Sequence, residues 1–174
     1  MADDGTVTSS LNLDGNGADS LPTATVISQY VKDLSIENPN APAVFGWQDA
    51  PQLEVQFNIA ANTIQADVHE VEIKIQLNAR ADAGVAYIVD LTYAGLVGVR
   101  NLDEAQTHGF LFAEAPRILF PFARRVIADA TRDAGFTPVL LEPIDFNGLY
   151  LQQLAEQAAA QQGASVNDEP AGHA

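Results

Sequence analysis

The chain has no cysteine, a single tryptophan, a single methionine, and only 8 basic side chains against 23 acidic ones. Without cysteine there is no disulfide framework, no iron–sulfur ligation and no thiol nucleophile. Serine is missing between Ser35 and Ser165, so the centre of the chain also lacks the hydroxyl of a Ser–His arrangement. Lys32 and Lys74 are the only lysines, and no glycine-rich run leads into Lys-Ser or Lys-Thr, which excludes a P-loop. A formal net charge of −15 argues against nucleic acid and against adsorption to anionic membranes, because both need clustered Lys and Arg. No segment is apolar over the length needed to span a bilayer. The acidic stretch 1–16 has no apolar run of the kind a secretory signal carries. A cytoplasmic location without direct membrane insertion is expected.

What remains is an aliphatic chain of one domain's length: 174 residues, 47% apolar and 7% aromatic. Residues 1–23 are rich in Asp, Gly, Ser and Asn and are expected to form a disordered N-terminal tail; residues 157–174, rich in Gln, Ala, Gly and acid, are expected to form a C-terminal one. The folded part is then 24–156. Its first half reads as strands. Val26 to Ile36 is halted by Asn38-Pro39-Asn40-Ala41-Pro42, a cluster that cannot continue a ladder. From Leu53 to Ala60, Leu53, Val55, Phe57 and Ile59 alternate with Glu54, Gln56 and Asn58. From Val68 to Arg80, Val71, Ile73, Ile75 and Leu77 alternate with Glu70, Glu72, Lys74, Gln76 and Asn78. This period of two predicts a sheet with one dry and one wet face. A fourth strand, Val85 to Tyr93, has apolar residues on both faces.

After Gly98 the period becomes helical. Asp103 is placed to cap a helix near 104–112 and Asp145 a last helix carrying Phe146, Leu149, Tyr150 and Leu154. Between them, 116–134 carries Ile118, Phe122, Val126 and Ala130 on one stripe and Leu119, Ala123 and Ile127 beside it. Strands followed by helices predict an α+β domain: a four-stranded antiparallel sheet with helices packed on one face.

Chemistry is sparse. His69, His108 and His173 have no metal-ligand spacing, and no metal, cofactor or catalytic residue is expected. The acids Asp33, Glu37, Glu54, Glu70, Glu72 and Asp90 all fit the wet face, where solvation denies them the pKa tuning that acid–base catalysis needs. They read as a solvated sheet surface or as a docking face for a basic partner. An enzyme reading survives only as a small dimeric α+β enzyme using His108 with a carboxylate, which would require a closed pocket.

The apolar residues exceed what a monomer needs, on the fourth strand and on the helix at 116–134, and such a surplus points to an interface. Phe45 and Trp47, on a long loop bracketed by prolines, are core plugs or groove walls. A groove burying about 400 Å² of apolar surface would gain roughly 10 kcal/mol gross. Ordering a floppy ligand removes several kcal/mol of that, so repeated grooves on an oligomer would be needed to hold an unfolded chain.

The stretches YVKDLSIENPNAPAVF at 30–45, YAGLVGVRNL at 93–102, RILFPFAR at 117–124 and LLEPIDFNGLYLQQL at 140–154 together resemble the SecB family of bacterial protein-export chaperones, over about residues 26–157. The resemblance implies a homotetramer, a dimer of dimers, that binds unfolded precursor proteins, keeps them translocation-competent and delivers them to the SecA motor ATPase. The family's motor-docking positions match Asp33, Glu37, Ile88 and Asp90. Its client groove matches Phe45, Trp47 and Leu149, and its dimer–dimer packing matches Val89, Leu91, Ile118, Phe122 and Val126. The resemblance also leaves open a dedicated SecB-like chaperone of a single client. The family's common aromatic in the fourth-strand region is replaced here by Leu96-Val97, and its cysteine before the Ile-Leu-Phe-Pro motif by Glu114-Ala115-Pro116.

Overall fold

The computed structural model describes residues 21–165, with side chains to residue 160; expectations for residues 1–20 and 166–174 lie outside the described residues. Four long strands, β1 (Thr23–Glu37), β2 (Gln52–Gln65), β3 (Val68–Ala81) and β4 (Gly84–Arg100), precede the helices. All pairings are antiparallel and the order across the sheet is β1-β4-β3-β2. Two tight turns make β2, β3 and β4 a meander, and β1 lies beside β4 as the second edge. The expected α+β architecture is therefore present.

The register sorts side chains as the alternation requires. Ala79, Leu77, Ile75, Ile73 and Val71 of β3 lie opposite Tyr87, Val89, Leu91, Tyr93 and Gly95 of β4, and all of these are buried. The same inner face continues onto β2 through Leu53, Val55, Phe57 and Ile59 and onto β1 through Val31, Leu34 and Ile36. The expectation for β4 stopped at Tyr93, yet the strand runs on to Arg100. Gly95 and Gly98 are ladder residues, not a turn. Gly95 lies beneath the following helix: a Cβ there would meet Leu119 Cδ2 at 2.8 Å.

Helix α1 (Glu104–Gly109) opens with the expected cap, as Gln106 N donates to Asp103 Oδ1 at 2.8 Å and Asp103 N to Gln106 Oε1 at 3.1 Å. It does not end at 112. A π-helical turn at Phe110–Glu114 carries it into α2 (Ala115–Asp133). Pro116 has no N–H to donate, and its ring crowds the carbonyl one turn back. A locally widened turn absorbs both effects.

On α2 it is Ala115, Pro116, Leu119, Phe120, Ala123, Ile127 and Thr131 that are buried. Thr131 is fully buried but satisfied: its hydroxyl donates to Ile127 O at 2.9 Å and accepts from Val139 N at 3.0 Å. That bond pins the segment after α2, which enters the core through Val139 and Leu141. Helix α3 (Phe146–Ser165) starts where Gly148 N donates to the Asp145 carboxylate at 3.0 Å. It passes the expected tail boundary at 156, and residues 157–162, all Ala or Gln, are good helix formers. No helix among the described residues is long and apolar enough to cross a membrane.

A polar clasp ties edge strand β1 to β3 over the top of β4. Tyr30 Oη donates to Glu70 Oε1 at 2.5 Å, and Lys32 Nζ donates to Glu70 Oε2 at 2.7 Å and Glu72 Oε1 at 2.6 Å. Ala94, between Tyr30 and Glu72 in the ladder, is small enough to be bridged. Lys32 above all, and then Tyr30, holds the Glu70 carboxyl below its ordinary value. The same carboxylate raises Tyr30 and Lys32.

Two outcomes follow for stability. A group with a depressed folded pKa stabilises above its unfolded value and loses that contribution as the pH falls through the folded one. Glu70→Gln should therefore lower Tm at pH 7 by roughly 3–6 °C, with the difference from the parent shrinking as acid titration below pH 4.5 protonates Glu70 in the parent too. Thermal melts over pH 3–8 measure it, and equal Tm values at pH 7 would show that the clasp contributes nothing. Gly95→Val should cost about 1–3 kcal/mol by overpacking. Combined with Leu119→Ala, it should cost less than the sum of the two changes in denaturant titrations.

Candidate binding surfaces

The inner face is wider than its cover. Helix α2 lies across β4 and reaches β3 and β1, while the edge rows stay partly open. Leu53, Val55 and Phe57 of β2 and Val31, Leu34 and Ile36 of β1 are exposed although their ladder partners on β3 and β4 are buried. Phe57 remains 40% exposed, with its ring edge-on to Phe146 at a centroid distance of 6.2 Å. Beside it lies a hollow of about 290 Å³ walled by Phe57, Ile59, Phe112, Phe146, Leu149 and Tyr150.

Phe45 and Trp47 stand at the end of the sheet near the β3–β4 turn. The loop that carries them makes a short 3-10 turn, Ala43–Gly46, whose Val44 is buried. Exposed Phe45 is tilted over Phe136 at 5.5 Å, and Phe136 rests on Tyr87 at 4.3 Å. Burial pushes the Tyr87 hydroxyl up from its usual value. Half-buried Trp47 lies against Gly84. Phe45 and Trp47 thus do not share a pocket with Leu149. The open β2 row joins the two ends: Leu53 pairs with Ala79 near the turn, and Phe57 lies four residues, about 13 Å, farther along. Sequence reading found the two ends of this apolar path and missed its middle, although the alternation of Leu53, Val55 and Phe57 was visible; nothing in that alternation says which row a helix will cover.

On α2, Ile118 and Phe122 are exposed and Val126 is half-buried. The expectation that Val89 and Leu91 contribute to an oligomer interface needs correction. Both are 0% exposed, sealed in the chain's own core, so a second copy cannot touch them. Helix α2 covers the inner face of β4; on its outer face Ile88 stays half-buried.

The outer face is polar, and the register arranges it in rows that cross the strands. One row is Glu37, Ile88, Asn78 and Glu54; the next is Ser35, Asp90, Gln76 and Gln56; a third is Asp33, Thr92, Lys74 and Asn58. Asp33, Glu37, Ile88 and Asp90, scattered in sequence, are thereby gathered on one patch. Asp33 and Glu37 are exposed, and Ile88 and Asp90 are half-buried. Gln76 Nε2 donates to Asp90 Oδ1 at 2.8 Å.

A bulge decides the membership of this patch. Val31 pairs with Tyr93 and Asp33 with Thr92, leaving Lys32 as the extra residue. The bulge resets the alternation, so Val31, Leu34 and Ile36 face inward while Tyr30, Lys32, Asp33, Ser35 and Glu37 face outward. His108 lies elsewhere: exposed on α1, its Nδ1 is 2.9 Å from Tyr150 Oη and its ring is 4.5 Å from Phe112. That contact ties α1 to α3. The hollow beside it is shallow, unlike the closed pocket an enzyme reading of His108 requires.

The family model for SecB, preprotein translocase subunit SecB, matches residues 17–157. The chain is 58% identical to the protein-export protein SecB of Erythrobacter litoralis, covering all of both chains. It is 57% identical to that of Novosphingobium aromaticivorans, over 97% of this chain and 99% of the relative. Among solved structures, the SecB-like chaperone of Mycobacterium tuberculosis in complex with a ChAD peptide from the HigA1 antitoxin matches in fold, with a TM-score of 0.58 at 19% identity over 70% of this chain and 90% of that one.

Proposed function

The chain belongs to the SecB family of protein-export chaperones, and we propose that it divides that work between the two faces of its sheet. Its family is one of chaperones that bind unfolded client proteins, not of enzymes. The proposed division has unfolded precursors lying along the open inner edges while the outer acidic patch docks the SecA motor. One observation carries this reading: the inner apolar rows overflow their helical cover at both sheet edges, and the same strands present a mostly polar, acid-rich surface on the reverse side.

In this reading the client path runs from Phe45 and Trp47 over Leu53, Val55 and Phe57 to Leu149. Such a path suits an extended apolar segment and shows no preference for one sequence, because dispersion and burial, not directional bonds, hold the ligand. Asp33, Glu37 and Asp90 meet a basic segment of the motor, with Ile88 as the apolar contact among them. Ile118, Phe122 and Val126 of α2 pack dimer against dimer in a homotetramer, which multiplies weak client paths into avid binding. The working compartment is the cytoplasm.

Glu37→Lys should weaken binding of purified SecA at least tenfold in calorimetry while light scattering still reports a tetramer; unchanged affinity would remove the acidic patch from the docking surface. Phe122→Glu buries a charge in the proposed dimer–dimer contact and should shift the scattering mass from tetramer towards dimer. An unaltered tetramer would place the contact elsewhere. Leu53→Ser with Phe57→Ser should lower affinity for a slow-folding precursor roughly tenfold, read as faster refolding in the presence of the chaperone. Undiminished delay of refolding would remove β2 from the client path.

A further inference from the structure

On the outer face, between β4 and β2, lies a hollow of about 190 Å³ lined by Glu54, Gln76, Asn78, Ile88 and Asp90. Its walls combine the carboxylates of Glu54 and Asp90 with the side-chain amides of Gln56, Gln76 and Asn78 and the aliphatic Ile88 and Leu77. Gln76 uses its amide N–H on Asp90 Oδ1 at 2.8 Å, which leaves its own oxygen and the second Asp90 oxygen to accept. Gln56 donates to Glu54 Oε1 at 3.2 Å, so the second Glu54 oxygen stays open. The Asn78 side-chain oxygen is buried without a hydrogen-bond partner. No Lys or Arg side chain lines the hollow. Two carboxylates, amide oxygens and an aliphatic wall fit the head and stem of a basic side chain.

We infer that this hollow seats an arginine or lysine side chain of the docking partner, so that the docking surface crosses all four strands with Glu54 as its far anchor and Gln76 positioning Asp90. The inference rests on the reading of the outer face as the motor-docking surface. Glu37 and Glu54 stand at opposite ends of one cross-strand row, three strand spacings or about 14 Å apart. That is the span of about four residues of extended chain. The partner is therefore a basic segment with cationic side chains about four residues apart, laid across the strands and over Ile88.

The test is calorimetric titration of full-length tetramer with purified SecA at several salt concentrations, using E54K, E54Q, Q76L and E37K. E54K should weaken binding five- to tenfold and E54Q about threefold. E54Q should also make the dependence of affinity on salt less steep, a change that a merely structural role for Glu54 would not produce. Q76L should weaken binding two- to threefold with precursor binding intact. Wild-type affinity and salt dependence for both Glu54 variants, alongside a loss in E37K, would overturn the inference while sparing the docking face. Wild-type affinity in E37K as well would sink the docking face itself. Loss in E54Q with wild-type binding in Q76L would keep the anchor and overturn the positioning role of Gln76.

Discussion

A single α-helix is about 10 Å across, whereas four hydrogen-bonded strands are roughly 19 Å wide. Most of what is distinctive here follows from that mismatch. Helix α2 sits over the middle of the sheet because Gly95 lets Leu119 approach the backbone of β4. Its inward row of Leu119, Ala123 and Ile127 seals the two central strands and leaves the inner rows of β1 and β2 half-covered. Helix α3 does little to close the gap. It attaches through Phe146, packed edge-on against Phe57 and Phe120, and through Tyr150 near His108, while its side chains from Leu151 to Ala160 are exposed. An apolar surface that the chain cannot cover by itself must meet something else. For a member of a family that binds unfolded clients, that unmet demand is the chemistry of the task.

The outer face has the opposite problem. Acids crowded on it repel each other and would work against holding edge strand β1 in the sheet. The clasp of Tyr30 and Lys32 on Glu70 and Glu72 offsets this locally by placing one of the two lysines where two carboxylates meet. Farther along the same face, beside Glu37, Glu54 and Asp90, no ion pair forms among the described residues. Charge there stays available to a partner, and the net charge of −15 extends its reach to about a Debye length, 8–10 Å at physiological salt.

Alternation in β2 and β3 made the two faces legible in the sequence, because a period of two over a long strand has a single structural solution. Asp103 and Asp145 were legible as caps for an equally local reason: each satisfies backbone donors within three residues. What depended on distant partners was not legible. Ile118–Phe122–Val126 and Leu119–Ala123–Ile127 are equally apolar stripes, and only the position of Gly95 on another element decides which turns inward. Val89 and Leu91 were assigned to an interface by the resemblance, and strand periodicity alone does not reveal that a helix of the same chain covers them. The glycines of β4 resembled a strand end because close helix approach and a turn ask for the same residue. The acid patch was half legible: alternation put Glu54, Gln76 and Asn78 on the wet face and the resemblance singled out Asp33, Glu37 and Asp90, but which of them stand side by side depends on register, which a single sequence does not state.

The phase of β1 links these observations. With strict alternation from Tyr30 onward, Asp33 would point into the core side and Leu34 into solvent, and the strand would spoil both faces at once. The extra residue at Lys32 shifts the phase by one, and the clasp holds that residue in place with two carboxylates from β3. Pairing the strand regularly, with Lys32 kept in the ladder and no bulge, would thus do more than loosen an edge. It would exchange the apolar row Leu34 and Ile36 for the acids Asp33 and Glu37, turning the proposed docking residues toward the client side. The polar network on β1 and the two binding surfaces are therefore one design constraint. The same four residues that fix the edge strand also determine which face of it is hydrophobic.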